Sequence, residues 1–334
     1  MNDFYDLADF DREQIDELLS LTRRLSEQPE PQALAGKVLA LLFLSSSLRT
    51  LASFQAAMAR LGGGTFVISP EMSIHGLENR SGIVMDGVAA EHIREAVPVI
   101  ASYGDALGIR LFAERHNLED DLTDHKFNEM RSLCNVPLIN MESAISHPCQ
   151  GLADWKTLND LDVPAQGGKL VLSWVFHPKP QSLAVPASTL MMAAMRGMQV
   201  TVLRPEGFEL PDVIMNRARQ AASNAGGSVS ETDDRAEALE GAHILYAKSW
   251  SSTLHYGMPE EDEDARRNAR DWCVDDRWFD PTHEACRFMH CLPARRGVEV
   301  LDDVLDGSRS AVIQQARNRM LTQMALLHRM LGQQ

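Results

Sequence analysis

The stretch Ser45-Ser46-Ser47-Leu48-Arg49-Thr50 sets hydroxyls and a guanidinium within six consecutive residues. Before it, the apolar run Val38 to Leu44 reads as a buried parallel strand. After it, Leu51, Phe54, Met58 and Leu61 share one face of a helix. Donors at a strand-to-helix turn, where free N–H groups and the positive end of the helix dipole point outward, suit an anion, a phosphate above all. Taken alone, the stretch reads equally well as a serine-rich helix cap with a solvated arginine.

Further polar groups fall just past predicted strand ends. They are Arg110; His147-Pro148-Cys149-Gln150, with Glu142 five residues earlier; His177-Pro178-Lys179-Pro180; Lys248-Ser249-Trp250; and His290-Cys291-Leu292-Pro293-Ala294-Arg295-Arg296. Each by itself is better explained by capping or by a satisfied loop residue. Together they share the C-terminal rim of parallel strands, where such sheets bind ligands. Other chemistries fit poorly. His290-Cys291 lacks metal-ligand spacing and no HExxH occurs. There is no GxSxG elbow. The glycine run Gly62-Gly63-Gly64 precedes a strand instead of opening a helix, which disfavours a dinucleotide.

The elements that must position these residues alternate. Asp11 and Gln14 form a capping box before a helix carrying Ile15, Leu18, Leu19 and Leu25. Strands are expected at Val38–Leu44, Thr65–Ser69, Ala106–Ile109 and Val136–Ile139. Helices are expected over Glu91–Tyr103, with Pro98 inside, and Asp124–Leu133. Residues 70–90 read as a long irregular loop. A second series has strands at Lys169–Val175, Val200–Leu203, His243–Ala247, Trp272–Val274 and Arg287–Met289. Its helices include Pro211–Ala225, closed by Gly226-Gly227, and a last amphipathic helix from Gln314 to Leu331. The fold class is therefore α/β: two doubly wound parallel sheets, with the ligand site expected in a cleft between them.

Composition narrows the partners. The 334 residues suffice for two domains. The net charge of −15 offers no basic surplus for nucleic acid, yet permits a small anion where a few arginines converge. No apolar run approaches the roughly 20 residues of a membrane span, and Met1 to Asp11 lacks a signal-peptide core. The five cysteines are scattered, without a CxxC pair, so the expectation is a reducing, cytoplasmic setting.

Ser47-Leu48-Arg49-Thr50, Arg110, His147-Pro148-Cys149-Gln150 and His290-Cys291-Leu292-Pro293-Ala294-Arg295 together resemble the carbamoyltransferases, in order and over nearly the whole chain. The resemblance implies a carbamoyl-phosphate-binding domain at 1–145, with a C-terminal helix 314–334 packing back on it, and an acceptor-binding domain at 146–313. It implies a homotrimer and no metal or cofactor. Ser47, the main chain of Leu48, Arg49, Thr50 and Arg319 would hold the phosphate. Arg110, His147 and Gln150 would reach the carbamoyl group, Cys291 and Leu292 would help bind carbamoyl phosphate, and Leu292, through its main chain, and Arg295 would close the site.

The acceptor follows from branch motifs. The Ser-Met-Gly of ornithine enzymes is absent, and Cys291 stands where aspartate enzymes carry proline. Met85-Asp86-Gly87, Asn140-Met141-Glu142, His177-Pro178-Lys179-Pro180 and Ala247-Lys248-Ser249-Trp250 resemble the branch acting on Nα-acylated ornithine. That branch has a knotted second domain with a Pro-rich loop, which Pro178, Pro180 and Pro186 suit. By resemblance Glu142, His177, Lys248, Leu292 and Arg295 contact the acceptor, Lys248 through its α-carboxylate. Ala90 occupies the position that discriminates acyl groups, where acetyl-specific relatives carry glutamate. The expected reaction is carbamoyl transfer to an acylornithine in arginine biosynthesis, N-succinyl-L-ornithine before N-acetyl-L-ornithine, with Arg80 or His92 as a partner for the succinyl carboxylate. The chain departs from the pattern at Leu51, in place of an arginine, at Glu299, in place of a lysine, and in the 70–80 loop, where His75 or a neighbour must stand in for a tryptophan. A silent ligand-binding homologue, or an enzyme for another amine, is the alternative.

Overall fold

The computed structural model describes residues 3–69 and 77–332. The chain divides into two compact units. One comprises Met1–Ala113, Asp120–Cys149 and Arg319–Gln334, the other Glu114–Glu119 and Gln150–Asn318. Three of the boundaries fall inside helices, Leu118–Leu122, Pro148–Asp160 and Val312–Leu331.

The first unit holds strands β1 (Asp3–Phe4), β2 (Val38–Phe43), β3 (Gly64–Ile68), β4 (Leu77–Glu78), β5 (Glu91–His92), β6 (Ala106–Arg110) and β7 (Leu138–Glu142). Its main sheet runs β1-β7-β6-β2-β3, parallel throughout. β2 is apolar end to end because both of its faces are covered. Ala40 and Leu42 pack with Leu107 and Ile109, with Ile93, Val97 and Ile100 of helix Ile93–Ser102, and with Phe127 and Met130 of helix His125–Leu133. Each such Leu or Ile contributes about 1.5–3 kcal/mol. Helix Ile93–Ser102 starts two residues later than its periodicity predicts. Glu91 and His92 pair instead with Leu77 and Glu78, and His92 Nδ1 accepts the Arg94 N–H at 3.2 Å as the cap. The expected loop thus holds one strand of a short parallel ribbon, β4, and the start of the expected helix holds the other, β5; loop residues 70–76, with His75, lie outside the described residues.

The second unit holds β8 (Lys169–Ser173), β9 (Gln199–Leu203), β10 (Ser228–Thr232), β11 (Ile244–Ala247) and β12 (Arg287–Met289), ordered β10-β9-β8-β11-β12, all parallel. The strand expected at Trp272–Val274 is not one. Val274 makes a single bridge to Val300, while the Trp272 ring stacks edge-on with Trp174 and Trp278. Its apolar character serves aromatic packing. β10, of sequence SVSET, carries no hydrophobic period and is recruited by its register with β9. Gly226 closes helix Asp212–Ala225 at φ 77°, the left-handed conformation that favours glycine.

Both sheets have a topological switch point. From β2 the chain passes to β3 on one side and returns to β6 on the other; from β8 it passes to β9 and returns to β11. In each unit a crevice therefore opens at the carboxyl ends of the two central strands.

Candidate active site

In the first unit the switch point lies between the turn after β2 and the end of β6. Phe43 is in register with Arg110, and the Phe112 N–H donates to Ser45 Oγ at 3.1 Å, tying the two loops together. Ser47 caps helix Leu48–Arg60: its Oγ accepts from the Thr50 N–H at 3.3 Å and donates to Thr50 Oγ1 at 3.1 Å. The buried Thr50 hydroxyl also accepts from Arg110 Nη1 at 3.4 Å and from Arg319 Nη2 at 2.9 Å. Two guanidiniums thus meet one side chain at a helix N-terminus. Between β6 and β7 the register slips after Ile109, so Arg110 faces Glu142. Arg110 Nη1 lies 2.6 Å from Glu142 Oε2, which is 3.5 Å from His147 Nε2. Arg110 also stacks on the Phe112 ring at 4.7 Å. Burial, reinforced by Arg319 and Arg110, pushes the His147 imidazole well below the usual histidine range. It is a neutral hydrogen-bonding group at neutral pH.

In the second unit the switch point brings together His177, beyond β8, and Lys248, beyond β11. Arg295 Nε donates to His177 Nε2 at 2.9 Å, while His177 Nδ1 lies 2.7 Å from the Lys179 carbonyl oxygen and 3.1 Å from the Lys179 nitrogen. Burial lowers the His177 pKa, and Lys248 and Arg295 act in the same direction. Glu299 Oε2 accepts the Arg295 N–H at 2.7 Å, and its Oε1 is 3.5 Å from His290 Nε2. Burial raises the Glu299 carboxyl, but His290, Lys248 and the Arg295 N–H prevail and bring it to about 2. Leu292 stands at φ 56°, which costs a non-glycine residue about 1–2 kcal/mol. Its N–H donates to His290 Nδ1 at 2.9 Å, which holds the turn.

The structure groups Ser47, Thr50, Arg110, Glu142, His147 and Arg319 on the first unit, with Leu48 exposed and Arg49 half-buried beside them. His177, Lys248, Cys291, Leu292 and Arg295 belong to the second, as does Gln150, whose amide donates to Asp154. Ala90 is exposed just before β5. Neither counter-charge suggested for a succinyl group is at hand: Arg80 is bidentate to Glu78 at 3.0 and 2.9 Å, and His92 is a helix cap. Sequence reading missed two supports. Arg266, buried and ion-paired with Asp262 at 2.5 Å, donates to the Trp250 carbonyl at 2.7 Å and to the His177 carbonyl at 3.4 Å. Asp154 and Gln315 join Gln150 to His290 through buried hydrogen bonds. The i,i+4 spacings of Gln150/Asp154 and Asp262/Arg266 were the available signals.

Residues 2–160 match the sequence model of the aspartate/ornithine carbamoyltransferase carbamoyl-P binding domain, and residues 182–330 that of the Asp/Orn binding domain. A carbamoyltransferase, a transferase enzyme, is therefore the class that fold and sequence define. The chain is 35% identical over 333 residues to the N-acetylornithine carbamoyltransferase of Xanthomonas campestris pv. campestris, covering 99% of this chain and 98% of that one. It is 35% identical over 298 residues to the N-succinylornithine carbamoyltransferase of Bacteroides fragilis, covering 89% and 88%. Among solved structures, a glutamate-to-alanine mutant of N-acetyl-L-ornithine transcarbamylase complexed with carbamyl phosphate and N-succinyl-L-norvaline superposes with a TM-score of 0.95 at 34% identity, covering 99% of this chain and 100% of the other. The chain belongs to the aspartate/ornithine carbamoyltransferase family.

Proposed function

We propose that this protein moves the carbamoyl group of carbamoyl phosphate to the δ-amine of an Nα-acylated ornithine, giving acylcitrulline and phosphate, as a step of arginine biosynthesis. The observation that carries this reading is the convergence of Arg110 and Arg319 on Thr50 at the N-terminus of helix Leu48–Arg60. In it, the first unit binds carbamoyl phosphate and the second the acceptor. Ser47, the Leu48 main chain, Arg49, Thr50 and Arg319 take the phosphate dianion, and Arg110, His147 and Gln150 the carbamoyl group. The uncharged amine attacks the carbamoyl carbon; the N–C bond forms as the C–O bond to phosphorus breaks. The amine's proton leaves with phosphate or a neighbouring base. Charge grows on the carbamoyl oxygen and then on the phosphate, and fixed cationic and neutral donors at both stabilise the transition state. A neutral His147 suits this role, because it donates without adding a proton that the reaction must lose. Juxtaposing amine and carbonyl carbon supplies much of the remaining rate.

On the acceptor side, Lys248 suits the α-carboxylate, and His177, Leu292 and Arg295 contact the acceptor beside it, with Glu142 for an amide N–H or the amine. His75 completes the set. Ala90 leaves space that a glutamate would fill and charge, so the reading favours N-succinyl-L-ornithine over N-acetyl-L-ornithine. A glutamate-to-alanine mutant of N-acetyl-L-ornithine transcarbamylase is itself solved with carbamyl phosphate and N-succinyl-L-norvaline, so in that protein loss of a glutamate is compatible with a succinyl ligand. The test compares transfer to free ornithine and both acylornithines by wild type and Ala90→Glu. Wild type should prefer the succinyl substrate by about tenfold or more, the scale of one mismatched group in a pocket, with Ala90→Glu shifting towards acetyl. Preference of wild type for acetylornithine removes the Ala90 assignment, and preference for free ornithine removes the acylornithine reading.

A further inference from the structure

We propose that Asp154 is a positioning residue that fixes which end of the Gln150 amide faces the carbamoyl group. The inference rests on the proposed function, which takes Gln150 as a carbamoyl contact. Gln150 and Asp154 lie one turn apart on helix Pro148–Asp160, 1% and 0% exposed. Gln150 Nε2 donates to Asp154 Oδ1 at 2.8 Å. Gln315 Nε2 donates to the same oxygen at 2.7 Å and to the Tyr246 hydroxyl at 3.1 Å, and Gln315 Oε1 accepts the His290 N–H at 3.0 Å. Tyr246, His290 and Gln315 are all buried.

A carboxylate only accepts, whereas an amide can present either end. Asp154 therefore orients both glutamines. With Nε2 committed to Asp154, Gln150 turns Oε1 the other way. The carbamoyl group differs from a simple ester carbonyl in carrying an NH2, a donor that an amide oxygen can accept and an amide NH2 cannot. A rotated Gln150 would set N–H against N–H, and a buried unmatched donor is among the costlier errors a site can hold. The second glutamine restrains Asp154 in turn: Gln315 grips the same oxygen and is itself fixed by Tyr246 and by the main chain at His290. The carboxylate thus cannot follow Gln150 if that amide rotates.

The experiment measures the affinity of the full-length protein for carbamoyl phosphate and, separately, for inorganic phosphate, which lacks the NH2. Asp154→Leu keeps bulk but accepts nothing. It should weaken carbamoyl phosphate about 10- to 100-fold while leaving inorganic phosphate within about threefold. In a Gln150→Ala background the same change should cost less than about threefold, because its target is gone. Asp154→Asn keeps one acceptor oxygen and should stay within about fivefold of wild type. Equal weakening of both ligands by Asp154→Leu, or full additivity with Gln150→Ala, overturns the inference. Should Asp154→Leu not fold, Asp154→Asn decides: a folded Asn variant as impaired as Gln150→Ala overturns it, and one close to wild type upholds it. Failure of the parent reading looks different: wild type would bind carbamoyl phosphate no better than phosphate, or Gln150→Ala would leave its affinity unchanged.

Discussion

At the scale of single residues, the first unit concentrates guanidiniums where a helix begins. Arg49 is half-buried there, so its removal should spare the fold. Arg49→Ala is expected to lower turnover by about 10²- to 10³-fold, the loss seen when one preorganised donor is removed, with an unchanged melting temperature. Turnover within threefold of wild type would take the phosphate away from this residue. The buried histidines give a pH dependence with a definite sign. Burial holds the pKa of His147 and of His177 below the usual value, with Arg319 and Arg110 assisting at the first and Lys248 and Arg295 at the second. The unfolded chain binds protons near pH 6.5, where the folded one does not. Stability is therefore full above about pH 6.5 and declines as the pH falls below it. The urea midpoint should drop between about pH 6.5 and pH 5, and His147→Asn should flatten that slope. A midpoint constant over this range would contradict the assignment of neutral, buried imidazoles.

At the scale of elements, the turn after β2 does two jobs with one side chain. Ser47 caps helix Leu48–Arg60 and also holds the Thr50 hydroxyl on which the arginines converge. These jobs can be separated. Ser47→Ala should destabilise the protein by about 1 kcal/mol through the lost cap. Ser47→Asp should restore the cap, since aspartate serves as well as serine at that position. It also sets a carboxylate against the proposed phosphate site, so transfer should fall at least tenfold although the melting temperature matches wild type. A Ser47→Asp protein with normal turnover would show that the helix N-terminus faces no anion. In the second unit, Arg266 shows how an element far along the chain supports a site loop. Helix Pro259–Arg267 delivers a buried guanidinium to the carbonyls of His177 and Trp250.

At the scale of the whole molecule, the segment between β4 and β5 leaves Val84, Met85 and Val88 exposed, Val88 by 87%. Contiguous exposed apolar patches mark interaction surfaces. From these side chains and the family resemblance we propose a homotrimer in which that segment meets a neighbouring copy. Sedimentation equilibrium should give three times the 37.1 kDa chain mass. Val88→Glu should shift the equilibrium towards smaller species and reduce turnover in step. A wild-type monomer with full turnover would refute assembly as a requirement.

The sequence by itself determined the strand-turn-helix at residues 38–60, because a continuous apolar run, a serine cap and a 3.6-residue period are all local signals. It also determined the polar groups at the strand ends and, through motifs spaced along the chain, the family. Only the tertiary structure decided which of those groups meet. That Arg319 reaches Thr50, 269 residues away, follows from docking of the C-terminal helix, which no local pattern encodes. That Glu142 pairs with Arg110 follows from a register slip between β6 and β7, and that Arg80 and His92 are already engaged follows from the β4–β5 ribbon. β10 escaped notice because an edge strand borrows its order from its neighbour, and Trp272–Val274 misled because aromatic packing and strand burial ask for the same residues. The Asp154–Gln315 bonds were invisible for the same physical reason. The direction of a buried amide is set by what surrounds it in space, and the sequence lists only what surrounds it along the chain.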